Sequence, residues 1–232
     1  RRYLVGYKRG KYNFTDILSL NKMGWMVGLQ MGLETALFSI TGIMIGWLGS
    51  IALAAHQVMV AISTLGFMIY YGVGAAVSVR VSNYFGRQDL LHVRRTTMAG
   101  FHLILCLAVC ACTVFLFSRE LIGYLFTTSE EVIRVVSTLV YILLAYQFGD
   151  ALQITYANSL RGIGDVISMA VISFIGYFLI AMPVCYICGF VLEWGITGIW
   201  IGYPIGLTLT GVMLCGRYYW KLKTKTQSKE FY

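Results

Sequence analysis

Residues 97–117 read TMAGFHLILCLAVCACTVFLF, twenty-one consecutive positions without an Asp, Glu, Lys or Arg. At 1.5 Å of rise per residue, a helix of that length covers the roughly 30 Å hydrocarbon core of a bilayer. Backbone amides in lipid must be satisfied inside a helix or a closed barrel, and an unbroken apolar run this long is about twice a barrel strand. The stretch therefore predicts a membrane-spanning helix. Working outward, five further apolar runs lie at about 23–48, 52–79, 132–158, 166–189 and 195–219. Breaks separate them at Gly49-Ser50, Asn83 to Arg95, Ser118 to Glu131, Arg161 to Asp165, and Glu193-Trp194-Gly195. The chain of 232 residues is thus an all-α membrane protein, a six-helix bundle with no room for a large extramembrane catalytic domain. Its 12% of charged residues and mean hydropathy of +0.73 exclude an ordinary soluble domain, which carries about 25% charge.

The net charge of +8 reads as a topology signal rather than as an affinity for nucleic acid, because the basic residues sit at span ends and in loops. With six spans, 16 of the 18 Lys and Arg fall on one side and only Arg119 and Arg134 on the other. The positive-inside rule then predicts a cell (plasma or inner) membrane protein with both ends of this segment cytoplasmic. Residues 1–22 read as a cytoplasmic lead-in with a short amphipathic turn around Thr15 to Leu18, and 221–232 as a basic cytoplasmic tail. The chain opens Arg1-Arg2-Tyr3 without an initiator Met, as expected of a fragment or a processed product. The six cysteines lie within apolar runs, where a thiol behaves as a small hydrophobe, and Cys185-x-x-Cys188 lacks a second pair or a histidine at zinc spacing.

Two carboxylates fall deep inside spans, Glu34 in the first and Asp150 in the fourth. A charge at the bilayer centre costs about 2.5–3.5 kcal/mol on insertion scales, so such residues face a cavity and mark an ion or proton path. No basic residue is expected inside a span to pair with them, so they should take up a proton or a metal cation. At 100° per residue, Gln30 and Thr41 share the face of Glu34, while Gly24, Gly28 and Gly32 form a separate face suited to close packing. Tyr146, Asp150, Gln153 and Ala157 share one face of the fourth span, and Gln57, Thr64 and Tyr71 one face of the second. The competing reading of the uncharged members is that they hold the bundle together by interhelical hydrogen bonds. His56, His92 and His102 read as satisfied polar residues, Pro183 and Pro204 as kinks in spans five and six, and Gly198, Gly202 and Gly206 as a packing face.

Gly162-Ile163-Gly164-Asp165 resembles the Gly-x-Gly-Asp motif of intramembrane aspartyl proteases, with Asp150 as a conceivable second acid. The context disagrees. Asp150 follows Gly149 rather than Tyr, Pro-Ala-Leu is absent, and Asp165 falls at a loop end as a helix N-cap.

A different family accounts for more of the chain. Gly32-Leu33-Glu34, Gly46-Trp47-Leu48-Gly49, Ala52 to Gln57, Val79 to Gly86, Gly149 to Gln153, Leu160 to Asp165 and Gly195-x-x-Gly198-Ile199-Trp200 occur in order. Together they resemble the C-terminal half of a multidrug and toxic compound extrusion (MATE) transporter. The resemblance implies one six-helix lobe of a twelve-helix machine, with the N-terminal lobe missing. It implies no enzymatic activity, no cofactor, and antiport of drugs or organic cations across the bilayer, coupled to Na+ or H+. On matching positions Glu34 and Asp150 become the coupling-ion ligands (for Na+ if sodium is used), and Tyr146 a nearby contact. Gln30, Thr41, Gln57, Thr64, Tyr70, Tyr71 and Gln153 become candidate cavity residues. Where some members place a cation-contacting Tyr, this chain has Phe67, with Tyr70 a turn away. Two other readings stay open: a lipid-linked saccharide flippase of the same superfold, and a membrane scaffold that transports nothing.

Overall fold

The computed structural model describes residues 14–230, with side chains as far as Lys225. Every regular element among them is helical. Helices α1 (Phe14–Gly46), α2 (Ser50–Gly86), α3 (Leu90–Phe117), α5 (Glu130–Gly162), α6 (Val166–Val191) and α7 (Gly195–Glu230) are six helices long and apolar enough to cross a membrane. A short helix α4 (Arg119–Phe126) occupies the third break, which the sequence reading leaves as loop. The stretch Thr15 to Leu18 is no separate turn, because it lies in the first two turns of α1. The rest of the expected lead-in, residues 1–13, and the last two residues of the tail lie outside the described residues, while the tail as far as Glu230 continues α7.

Helix α5 is the centre of the bundle, packed along its length against α2, α3 and α7, with α4 across its start. Helix α6 lies on α7 and α1, and α1 completes the bundle at the side, touching α2 more lightly. Two apolar clusters hold the ends of this arrangement. One joins Leu37, Met59, Leu139, Leu143, Trp200 and Tyr203, and the other joins Val81, Val93, Leu160, Met169, Leu214 and Tyr218. The outward faces stay apolar and exposed, as at Leu65 and Met68 on α2, Val109 and Val114 on α3, and Val171 and Phe174 on α6. Such faces suit acyl chains rather than water.

Local sequence explains the departures from regular helix. In α6 the turns Ile175–Ala181 and Ile187–Val191 widen to π-helix on either side of Met182–Tyr186. Pro183 has no N–H to close the ordinary turn, and the amide of Met182 bonds five residues back to the Tyr177 carbonyl. The α5–α6 turn needs Gly164, whose φ of 77° suits glycine. Asp165 stands at the N-cap of α6 but makes no capping bond to the helix backbone. Its carboxylate instead accepts from Ser168 Oγ (2.9 Å) and from Arg217 Nε on α7 (2.8 Å), because a charge-assisted bond outcompetes an ordinary cap. Burial works against ionisation of this carboxyl, and Arg217, Ser168 and Lys221 outweigh it, holding Asp165 below the usual carboxylate range.

The two glycine stripes part company. At Gly198, Gly202 and Gly206 a Cβ would meet Cys188, Cys185 and Ala181 of α6, so these glycines let α7 and α6 approach backbone to backbone. At Gly24, Gly28 and Gly32 a Cβ would meet nothing within 4 Å, so that face of α1 is not the packing face expected. Helix α1 packs instead through Leu37, Met44 and Ile45. Gly198→Ala is therefore expected to lower the stability of the full-length protein by about 1–3 kcal/mol through overpacking. Gly72→Ala, inside α2 and with nothing within 4 Å among the described residues, should not lower it, since alanine favours helix over glycine. Thermal melting of the two variants in detergent measures the difference.

Candidate functional site

Glu34 enters the site from the middle of α1. Its Oε2 accepts from Gln30 Nε2, one turn before it, and from the Tyr177 hydroxyl of α6, both at 3.3 Å. Tyr177 Oη in turn accepts from Gln153 Nε2 of α5 at 2.5 Å. Tyr177 sits in the first widened turn of α6, where Gly176 lets α6 press against Thr210 of α7. On the other side, Gln30 Oε1 accepts from Arg161 Nη2 at 3.5 Å, and Arg161 Nη1 reaches Asn158 Oδ1 (3.3 Å) and Tyr71 Oη (3.5 Å). One polar chain thus runs from Arg161 through Gln30, Glu34 and Tyr177 to Gln153, and four separate helices contribute to it when Tyr71 is included.

Asp150 stands behind this chain, fully buried on α5, and neither carboxylate oxygen has a hydrogen-bond partner among the described residues. It feels the charge of Glu34, and Tyr70, Tyr146 and Tyr177 lie close enough to feel its own. Gln153 Oε1 and Tyr70 Oη are also buried and without partners. A carboxylate left unpaired in such surroundings is costly, and a proton or a small cation removes the cost. Among the described residues no group of three or more His, Cys, Asp or Glu converges, so a cation here meets two carboxylates and otherwise neutral oxygens. Hard cations favour such a donor set.

Two cavities meet at Glu34. The larger, about 280 Å³, opens between α1 and α2 and is mostly apolar, walled by Met31, Phe38, Phe67 and Met68, with Thr64 and Tyr146 on its lining. The smaller, about 20 Å³, is enclosed by Gln30, Glu34, Tyr71, Gln153, Asn158 and Arg161, and has room for one water-sized occupant.

The structure therefore brings together Glu34, Asp150, Tyr146, Gln30, Gln153, Tyr71 and Thr64, and corrects two expected cavity residues, Thr41 and Tyr70. Thr41 is fully buried and hydrogen-bonded to the Tyr203 hydroxyl of α7, because the face of α1 that carries Glu34 has turned toward α7 two turns later. Gln57 stays on the expected surface: it is exposed about two turns of α2 from Thr64, beside His56, Ser39 and Gly42, in a depression that adjoins the larger cavity and shares Thr35, Phe38 and Val60 with it. Tyr70 is packed against Ile104, Ala108 and Ala151, so its hydroxyl approaches Asp150 from the core rather than from the cavity. Phe67 does line both cavities, without a hydroxyl to offer. His56 is buried against the Trp200 ring with Nδ1 unbonded, so it is not the satisfied histidine expected.

Two residues of the chain were missed. Tyr177 is a lone polar residue in an apolar run, and nothing in its own helix announces a partner. Arg161 reads as a loop charge, yet it ends α5 and folds back toward Gln30, so a basic group does stand near the acids.

The sequence and the architecture agree on the family. The MatE family profile matches residues 27–187 of the chain. The chain belongs to the MatE family. This MatE chain is 34% identical over 220 residues to the Multidrug resistance protein NorM of Photobacterium profundum, covering 93% of this chain and 47% of that protein. It is 33% identical over 214 residues to NorM of Vibrio cholerae, covering 90% and 47%. Its fold matches the eukaryotic MATE transporter AtDTX14 with a TM-score of 0.83 at 20% identity, over 94% of this chain and 51% of that one. A MATE solved in complex with MaL6 gives a TM-score of 0.86 at 14% identity, over 94% and 49%. The chain spans about half the length of the curated relatives it matches, as one six-helix lobe would.

Because Thr41 is structural, Thr41→Val is expected to cost about 1–3 kcal/mol by leaving the Tyr203 hydroxyl buried and unpaired. Thr64→Val should be neutral, since the Thr64 hydroxyl bonds only the Val60 carbonyl of its own helix, at 2.8 Å. Denaturation midpoints of the two variants give the comparison.

Proposed function

We propose that this chain is the cation-handling lobe of a multidrug antiporter, which exchanges Na+ or H+ for organic, often cationic, drugs by alternating access between two lobes. The observation that carries the reading is the Asp150 carboxylate, buried without a hydrogen bond beside Glu34. Such a pair awaits a cation. The NorM relatives are named for multidrug resistance, and the cavity next to Glu34 has the apolar, methionine-bearing wall that suits varied organic substrates.

In this mechanism the entering ion binds Glu34 and Asp150, with Tyr146 close by and the hydroxyl of Tyr177 and the amide of Gln153 as neutral donors. Its arrival changes the charge at the junction of α1, α5 and α6, and the lobes rock about the site. One charge moving through 100 mV supplies about 2.3 kcal/mol, and each tenfold of gradient costs about 1.4 kcal/mol, so one ion sustains roughly a 40-fold drug gradient. Both ends of the segment are proposed to be cytoplasmic. A flippase for pyrophosphate-linked saccharides would need several basic groups on the cavity. Arg161 is the one guanidinium on either cavity at Glu34 among the described residues, and it already binds Asn158, Tyr71 and Gln30.

In vesicles of the full-length protein, Glu34→Gln and Asp150→Asn are each expected to abolish dye efflux driven by an imposed Na+ or pH gradient, with membrane insertion intact. Undiminished efflux by either variant overturns the assignment.

Arg161 has a distinct part in the proposal. Held to Gln30, it is a tethered positive charge that opposes the coupling ion and eases its release toward the Arg161 end. At an effective dielectric of about 20, a unit charge 10 Å away changes cation affinity on the order of tenfold. Arg161→Gln should therefore tighten the apparent affinity for the coupling ion by about that factor, with Arg161→Lys restoring it. Looser binding or no change in ion titrations of drug release argues against this role.

A further inference from the structure

A third cavity, about 410 Å³, lies away from the carboxylates, between the last turns of α2 and the first turns of α3. Its floor is apolar and formed by small residues. Ala76 and Ala99 leave the depression open, and Gly100 admits the Val77 side chain close to its backbone. The floor runs out to Leu103, which is 52% exposed on the lipid-facing surface of α3.

The opposite end of the same cavity is basic. Arg80 of α2 and Arg95 of α3 line it, with Tyr84 and His92 beyond them toward the α2–α3 turn. Other arginines near this end of the bundle are engaged: Arg217 with Asp165, Arg161 with Gln30 and Asn158, and Arg94 over the Tyr219 ring at 5.6 Å. Arg80 and Arg95 have no carboxylate within ion-pair distance among the described residues. Asp89, three residues before His92, makes its hydrogen bonds to His92 and feels the charge of Arg95 without an ion pair to it. It accepts the His92 backbone N–H at 3.1 Å and contacts Nδ1 at 2.6 Å, while Tyr84 stacks on the imidazole at 5.2 Å. The backbone N–H of His92 is the main reason Asp89 lies below the usual carboxylate range, so this acid stays ionised and occupied by its own loop.

We propose that this cavity is a binding site for an anionic phospholipid, with the phosphate held by Arg80 and Arg95 and an acyl chain laid along Ala76, Ala99 and Leu103. A guanidinium pairs with phosphate through two parallel N–H bonds, and basic pockets between membrane helices suit acidic headgroups. The apolar floor selects a lipid over free phosphate, because a phosphate alone leaves the floor unfilled. Two arginines without an ion pair select an anionic headgroup over a zwitterionic one, whose ammonium they repel. The site touches none of the groups around Glu34 and Asp150 and does not depend on their function.

The test is native mass spectrometry of the full-length protein in detergent, titrated separately with phosphatidylglycerol, phosphatidylcholine and inorganic phosphate. Phosphatidylglycerol is expected to bind best. At about 1 kcal/mol per basic group, Arg80→Gln combined with Arg95→Gln should weaken it about thirtyfold, whereas Arg87→Gln, outside the cavity, should not. Ala99→Phe, which fills the groove and keeps both arginines, should also weaken phosphatidylglycerol, and it serves as the readout if the double variant melts early. Equal binding of phosphatidylcholine, equal binding of free phosphate, or unchanged phosphatidylglycerol binding by the groove-filled variant overturns the proposal.

Discussion

Helix α5 packs against α2, α3, α4 and α7, and near its middle it buries a carboxylate to which none of the described residues donates. A soluble protein meets such a cost by local hydration, but in the centre of a six-helix bundle every nearby group must be arranged around it. The surroundings of Asp150 show that arrangement. Tyr146 and Tyr70 approach it, Gln153 turns its amide toward Tyr177, and Tyr177 passes a hydrogen bond to Glu34. The result is two acids on different helices, one buried without a hydrogen bond and one at a cavity edge, with Tyr177 and Gln153 bonded in series to the second.

The widened turns of α6 matter for this geometry. A regular helix through Pro183 would leave an unfilled hydrogen bond, and the π turns accommodate it by shifting the register of the residues before it. Tyr177 lies in the first of those turns. The same segment is pressed against α7 through glycines on both helices, so the position of the Tyr177 hydroxyl is tied to the tightest helix contact in the bundle. Glu34 is thus linked to α6 by one hydrogen bond, and through the packing of α6 to α7.

Charge at the basic end of the bundle divides into three settings. Arg217 locks the α5–α6 turn to α7 through Asp165, Arg161 folds inward to Gln30, and Arg80 with Arg95 lines the cavity between α2 and α3. These positive residues are thus alike in charge and different in setting. Their counting in sequence conveys only the first property.

The sequence alone determined the six helices, because hydrocarbon tolerates no unsatisfied backbone and a span therefore declares itself by local length and apolarity. It also marked Glu34 and Asp150, because the cost of a charge in lipid belongs to the residue and not to its neighbours. Helical phase placed Gln30 beside Glu34 and Gln153 beside Asp150, since both pairs lie within one turn of a single helix. Phase says which residues share a face and not which neighbour that face meets, so only the tertiary structure sent Thr41 to Tyr203 and Tyr70 into the core. It was likewise the packing of α6 and the fold-back of the α5 end that joined Tyr177 and Arg161 to the acids. Their partners are more than a hundred residues away in sequence, and no local periodicity encodes a contact over that distance.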